Sequence, residues 1–422
     1  MKKIIIIVLS LAIVLWFLWW KFGPSIPLFN KPSQQGPITL TYWGLWEEDN
    51  LIKPVIEQYQ KQNPNITIAY ERKSSLNYRT RVQAQIKEGV GPDVFRIHNS
   101  WLAMFLRENS LAAVPSDIFT VSDYKNSFYP VAFDSFVASN QIYGAPLGID
   151  GLALFVNTDI LSAANVAIHT NWSEFVSGAT KVTVKDSNGL IKTAGAGIGT
   201  TTNIDYWSDI LGLMLLQQQT VNLKDPSPET GAEVISFYTG FITDPTKKVW
   251  DVNLPRSGDM FISGNLAFYF APFSKVSEIK VVNPNLKFKV VPVPQLPNGK
   301  ITWGTFWGET VSVQTKFKKE SWELIKFLTS KEISKVFSVP SARVDVAAEQ
   351  SQDPIMGPFV NQGPMYKFWY LSQVGTDGGI NDEIIKIWQM GILGVLQGQS
   401  PQGVLSTINR DSKGILTKYG VK

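Results

Sequence analysis

The sequence predicts an α/β protein of two lobes, each a doubly wound sheet flanked by helices. Three observations carry this. Short apolar runs alternate with amphipathic stretches over residues 38–109 in the order βαβαβα. Extended segments punctuated by Gly and Pro recur at 141–160, 292–297 and 340–346, where a chain passing between two bodies would cross. And 422 residues exceed what one ordinary core organises.

The totals narrow the function. With 44% hydrophobic and 18% charged residues the chain is globular, not disordered. The net charge of +4 is dispersed, and no Lys/Arg run forms a stripe that could track nucleic acid phosphates. Cysteine is absent, which excludes disulfides, thiol catalysis, Cys-ligated zinc and a lipidated N-terminal Cys. His98 and His169 are the only histidines, so no His-rich metal site is available, and no cofactor or metal is expected.

The first residues form a separate unit. Lys2 and Lys3 precede Ile4–Trp20, 17 residues without a charge. As a helix this run is roughly 25 Å long, at the short limit for a bilayer span. Trp19 and Trp20 suit the far interface and the lysines a cytoplasmic start. WFLWWKFGPSIP offers no convincing small-x-small cleavage site, so residues 1–21 are expected to be an uncleaved anchor with the body outside the membrane. Residues 22–37, with Pro24, Pro27, Pro32 and Pro37, read as a tether.

The body then begins with a strand at 38–43, a helix to about Asn63 stopped by Pro64, a second strand at 66–71 and a helix over 78–88 ended by Gly89. GPDVFRIHNSW supplies the third strand, Val94–Ile97, which opens into the polar His98, Asn99 and Ser100. In a 2-1-3 strand order, the loops after strands one and three face each other across the switch point where open α/β sheets bind ligands. The first of these loops is Gly44, Leu45, Trp46, Glu47. Acids in a helix's first turn are ordinarily dipole partners, but Glu47 lies nearest the strand end and is the expected ligand contact. Asp93 is expected to brace a turn.

Residues 111–130 read as loop-rich, and Leu152–Val156 as a buried strand after the first crossing. Asp150, between Gly148 and Gly151, lies where backbone can approach a guest closely. GAGIGT at 195–200 fails the dinucleotide and P-loop patterns, because Thr200 replaces the third glycine and no GK[ST] follows. Helices are expected over 164–180, 203–219 and 227–243, and MFISGNLAFYFAPF reads as helix end, turn and buried strand. The 288–293 run is extended. Trp303 and Trp307, each followed by Gly, could line a cleft or simply pack; Arg343 is a fork-shaped donor on the third crossing. Helices over 381–398 and 400–419 close the chain. The division expected is 38–145 with 288–338 for lobe 1, and 146–287 with 339–422 for lobe 2.

Taken in order, TYWG, QNPNITI, GVGPDVFRIHNSW, IYGAPLGIDGLALFVNTDIL, NWSEFVSGATKVTV, MFISGNLAFYF and GETVSVQTKFKKESWELIKFLTSKE resemble the extracellular solute-binding proteins of ABC importers, carbohydrate type. The resemblance covers nearly the whole body. It implies a periplasmic-binding-protein-like fold, a sugar or oligosaccharide held between lobes that close about a hinge, and an ATP-driven permease as partner. Carried onto this chain, it implies ligand contacts at Trp43, Trp46, Glu47, Asn99, Ser100, Asp150, Trp207, Trp303, Trp307, Arg343 and Trp369. Many relatives are tethered by a lipidated Cys, which this chain lacks. Two rivals stand beside this reading: a receptor for a non-sugar solute, and a surface glycosidase using two carboxylates. Against the latter, Glu47, Glu48 and Asp49 are adjacent on a helix start and do not straddle a bond.

Overall fold

The computed structural model describes residues 36–421, apart from 169, 219–221, 225, 227, 298 and 376–378. The expected membrane segment, residues 4–20, lies outside the described residues. Among the described residues no helix is long and apolar enough to cross a membrane.

Two five-stranded sheets organise the molecule. The first takes β1 (Ile38–Gly44), β2 (Ile66–Arg72) and β3 (Val94–His98), together with a short β6 (Ala145–Pro146) and a late β13 (Trp307–Val311). Its order is β2-β1-β3-β13-β6, with β1, β2 and β3 parallel and β13 antiparallel to both its neighbours. The 2-1-3 order expected from the sequence is therefore present. Helix α1 (Asp49–Gln62) buries Ile52, Val55, Ile56 and Tyr59, a single stripe at helical spacing. Asp93 accepts hydrogen bonds from the Thr41 amide and hydroxyl and from the Thr315 hydroxyl, so it braces β1 against the segment after β13.

The second sheet has the order β11-β7-β10-β9-β8, from β7 (Ala153–Asn157), β8 (Val184–Lys185), β9 (Ile191–Ala196), β10 (Leu266–Ala271) and β11 (Phe288–Val291). β7 and β10 are buried at every residue, as expected for strands covered on both faces. Helix α2 (Trp172–Val182) is capped by Asn171, whose Oδ1 accepts the Glu174 amide at 2.9 Å. Helix α3 (Trp207–Gln217) is buried along almost its whole length. Two-stranded ribbons pair β4 (Val137–Ala138) with β5 (Gln141–Ile142), and β12 (Thr302–Trp303) with β14 (Tyr366–Lys367). Within the region read as loop, Val121–Ser127 is a short helix fixed by a Thr120/Asp123 capping box.

One boundary differs from expectation. Phe288–Val291, assigned above to the first lobe, pairs antiparallel with β7 in the second sheet, Val290 opposite Phe155. A fully buried β7 must satisfy both its edges, and β11 closes the one that β10 leaves open. The prolines at 292 and 294 thus end a second-sheet strand rather than announce a first-sheet one.

The crossings lie side by side, the second of them running on past its prolines to 303–306. The Leu152 amide donates to the Trp303 carbonyl at 3.0 Å and the Thr305 amide to the Asp150 carbonyl at 2.9 Å, so 147–152 and 303–306 run antiparallel. The Ile149 amide donates to the Pro340 carbonyl at 2.8 Å, which adds the third crossing. Gly151 is obligatory here, because a Cβ would sit 2.0 Å from the Trp303 carbonyl oxygen.

Candidate ligand-binding cleft

The carboxyl ends of β1 and β3 and the start of β13 meet at the switch point of the first sheet. Register sets what they present: Trp307 lies opposite His98, and Glu309 opposite Arg96. Residues two apart share a face of a strand, so the Trp307–His98 pair stands directly above the Glu309–Arg96 pair. The Trp46 indole, 48% exposed, meets the Trp307 ring edge-on with centroids 4.9 Å apart. Trp307 in turn meets the Trp101 edge at 4.9 Å and the His98 ring at 5.3 Å. The result is a ring platform with a half-exposed indole at its outer end.

Beneath it lies a buried charge cluster. Arg96 donates from Nη1 to Glu47 Oε1 at 2.7 Å and from Nε to Glu309 Oε1 at 2.7 Å, and its Nη2 also binds Glu309. Burial opposes ionisation of Glu47, but the charge and hydrogen bond of Arg96 hold its carboxyl below the ordinary value. Fully buried Glu309 is shifted the other way, by desolvation first, with repulsion from Glu47 adding to it. Burial pushes the His98 imidazole down to about 3, so it is neutral, with Nδ1 2.8 Å from Ser100 Oγ and Nε2 2.9 Å from Thr305 Oγ1. Ser100 Oγ donates to Asn381 Oδ1 at 2.9 Å, at the head of helix α4 (Ile380–Leu396). The Asn99 amide donates to the Phe306 carbonyl at 2.9 Å, while its Nδ2 has no partner among the described residues.

The hinge contributes Asp150. Its Oδ1 accepts the Gly151 amide at 2.7 Å and the Phe273 amide at 2.8 Å, and it has no ion-pair partner among the described residues. Burial lifts its carboxyl to about 7, against the pull of those amides. On the second lobe Asp205 is satisfied by the Arg256 guanidinium, the Gly258 amide and the Tyr269 hydroxyl.

The structure thus brings Trp46, Glu47, Asn99, Ser100 and Trp307 together at one sheet end, with Asp150 on the adjoining hinge. The other expected contacts are placed differently. Trp303 is wholly buried, and its Nε1 donates to Asp209 Oδ1 at 2.7 Å while its ring fills the space left by Gly212, so it is core rather than cleft lining. Trp43 is buried in β1 with the Lys73 ammonium 4.2 Å above its ring. Trp207 and Trp369 are buried to within a small edge. Arg343 is a bracket on the third crossing, forked onto Asp345 and set over Phe128.

Sequence reasoning missed two groups. Arg96 reads as an odd charge in an apolar strand, and its partner Glu309 is 213 residues away. Tyr206 precedes α3 with φ 55° and ψ 24°, a left-handed backbone that costs a bulky residue of order 1–3 kcal/mol and concentrates at functional sites. Its phenol is held protonated by burial and by Asp205, Asp209 and Asp150 nearby. A separate depression of about 490 Å³, lined by Ile86, Lys87, Glu108, Asn109, Ser110 and Gln314, carries no aromatic ring and lies away from this platform.

The bacterial extracellular solute-binding protein family matches residues 55–355. The chain belongs to that family. A Brucella abortus relative described only as a binding protein is 24% identical over 360 residues, 83% of this chain and 85% of that one. Among solved structures, a Listeria monocytogenes ABC substrate-binding protein in complex with cycloalternan superposes with a TM-score of 0.70 at 18% identity, covering 91% of this chain and all of that one. The Xanthomonas citri sugar-binding protein MalE gives 0.73 at 18% identity over 90% and 98% of the two chains. A cyclo/maltodextrin-binding protein complexed with maltotetraose gives 0.73 at 17%, over 91% and 98%. At these identities the likeness establishes the two-lobed fold of the solute-binding family.

Proposed function

We propose that this solute-binding protein is the receptor of an ABC importer and holds a sugar or oligosaccharide between its lobes. The observation that carries the reading is the half-exposed Trp46 set edge-on to Trp307 at the ligand end of the first sheet, beside the carboxylate of Glu47. Sugars present C–H patches on their faces and hydroxyls at their rims; indoles cover the former and carboxylates, amides and hydroxyls bind the latter. That structural relatives were solved with cycloalternan and maltotetraose supports the same ligand class here.

Closure about the three adjacent crossings would bring Asp150 and the second lobe, with Tyr206, onto a guest resting on the platform. Micromolar affinity would correspond to roughly 8 kcal/mol after the hinge is closed. No bond is made or broken in this reading. Glu47 and Glu309 share one guanidinium and Glu309 is fully buried, so the two do not face each other across a glycosidic bond. The apolar Ile4–Trp20 segment is the anchor we infer to hold the body at the outer face of the cell membrane, in a chain with no Cys to lipidate.

Mass spectrometry of the native protein, with its copurifying small molecules, tests the ligand class. An oligosaccharide released on unfolding, which restores the melting temperature when added back, supports the proposal. A peptide, polyamine or metal chelate behaving in the same way overturns it.

A further inference from the structure

The Trp46 side chain is nearly half exposed. Its ring meets the edge of Trp307 and faces the guanidinium of Arg96, whose Cζ lies 5.8 Å from the Trp46 ring centroid. Trp307 is fixed by its strand and by His98 and Trp101. Arg96 is fixed more tightly still. It is 4% exposed, sits in the middle of β3, and binds carboxylates from both flanking sides, Glu47 from the loop after β1 and Glu309 from β13.

Energetically the arrangement is poor as a stability device. Two buried carboxylates share one cation, with only the Tyr42 hydroxyl beside Glu309 and the backbone amides of Trp46 and Glu47 beside Glu47 to add to it. Desolvating three charged groups costs several kcal/mol per ion, and a packed apolar trio would serve the core at least as well. What the cluster supplies is geometry: a planar fork, made rigid by two carboxylates, at a fixed height under one indole.

We propose that Arg96 is a positioning residue of the cleft. It does not touch the guest; by engaging Glu47 and Glu309 together it fixes the β1 loop and holds the Trp46 indole perpendicular to Trp307, and so sets how firmly a ring-faced ligand is bound. The first part concerns the free protein alone. The last clause rests on the ligand-site reading given above.

An indole held in one orientation 4.9 Å from a second ring, at 74° to it, contributes its own feature to the near-ultraviolet circular dichroism spectrum. Trp46→Phe identifies that feature by its loss. Arg96→Lys keeps the charge but not the fork; Arg96→Met/Glu47→Gln/Glu309→Gln removes all three charges and guards against the misfolding that unpaired buried carboxylates would cause in Arg96→Met alone. In both, far-ultraviolet spectra unchanged from the parent together with loss of the Trp46 feature are the expected result. Retention of the feature in either folded variant overturns the proposal.

The binding clause is read with maltotetraose as probe. Arg96→Lys is expected to weaken it about tenfold in the parent and to change nothing in a Trp46→Ala background. An equal loss in both backgrounds makes Arg96 merely structural and overturns the clause. If the parent does not bind maltotetraose, the sugar assignment suffers, while the ligand-free spectrum still decides whether Arg96 positions Trp46.

Discussion

His98, at the end of β3, places its Nε2 2.9 Å from the hydroxyl of Thr305, on the crossing that returns the chain from the second sheet to the first. With Nδ1 taken by Ser100, both ring nitrogens are committed, and burial holds the imidazole neutral down to about pH 3. The folded value lies below the unfolded one, near 6.5, so between these limits the unfolded chain binds the proton and the folded one does not. This group therefore costs stability as pH falls below about 6.5, with a slope of at most about 1.4 kcal/mol per pH unit. Thermal melts from pH 7.5 to 4.5 should show a shallower acid decline in His98→Gln than in the parent. Parallel curves would mean that His98 is not neutral in the fold.

Asp209 works in the opposite direction. Burial raises its carboxyl to about 7, despite the hydrogen bonds from Trp303 and the Gln373 amide. A folded value above the unfolded one means that the native state holds the extra proton, so stability is present below the unfolded value and declines as pH rises from about 4 to 7. Asp209→Asn keeps the acceptor for Trp303 Nε1 and removes this titration. Its melting temperature should fall less than the parent's between pH 5 and pH 8; an identical fall would place the titration elsewhere.

The two indoles tested most simply are Trp46 and Trp303. Trp303→Ala empties a fully buried site and removes the indole donor to Asp209, which should cost about 3–5 kcal/mol in chemical denaturation. Trp46→Ala, on a half-exposed ring, should stay within about 0.5 kcal/mol while still binding the ligand, about ten- to a hundredfold more weakly. The reverse pattern would put the ligand against the second lobe's interior.

Gly151→Ala probes the hinge. The added methyl would meet the Trp303 carbonyl at 2.0 Å and also press on the Tyr366 ring, so the two crossings must part. The expected outcome is lower stability together with a changed affinity, and hydrogen exchange should quicken at the Leu152 and Thr305 amides. Unchanged protection there would show that these crossings are not paired in solution.

Much of the fold was legible because its signals are local. Apolar strands that break into polar loops gave the β1, β2 and β3 series, whereas the helix expected over 164–180 begins only at Trp172, after the Asn171 cap. Which strand pairs with which late segment is not local. FKVV at 288–291 reads the same on either lobe, and only the open edge of β7 assigns it. The site divided similarly. That Trp46, Glu47, Asn99 and Ser100 lie together at one sheet end follows from the loop rule for parallel sheets. Trp303 and Trp307 look alike in TWGTFWG, yet four residues of progress through the crossing send one ring under Gly212 and the other out to Trp46. Arg96 could not be valued without Glu309, which lies on a strand added from the far end of the chain.

The most direct test of the account is a fluorescence titration of the ligand-stripped protein and its Trp46→Phe variant with a panel of oligosaccharides, maltotetraose and a cyclic glucan included. At least one sugar should change the indole emission saturably in the parent, with the change lost or much reduced in the variant. A panel that leaves emission and melting temperature untouched, or a response undiminished by Trp46→Phe, would contradict the claim that a sugar rests on this platform.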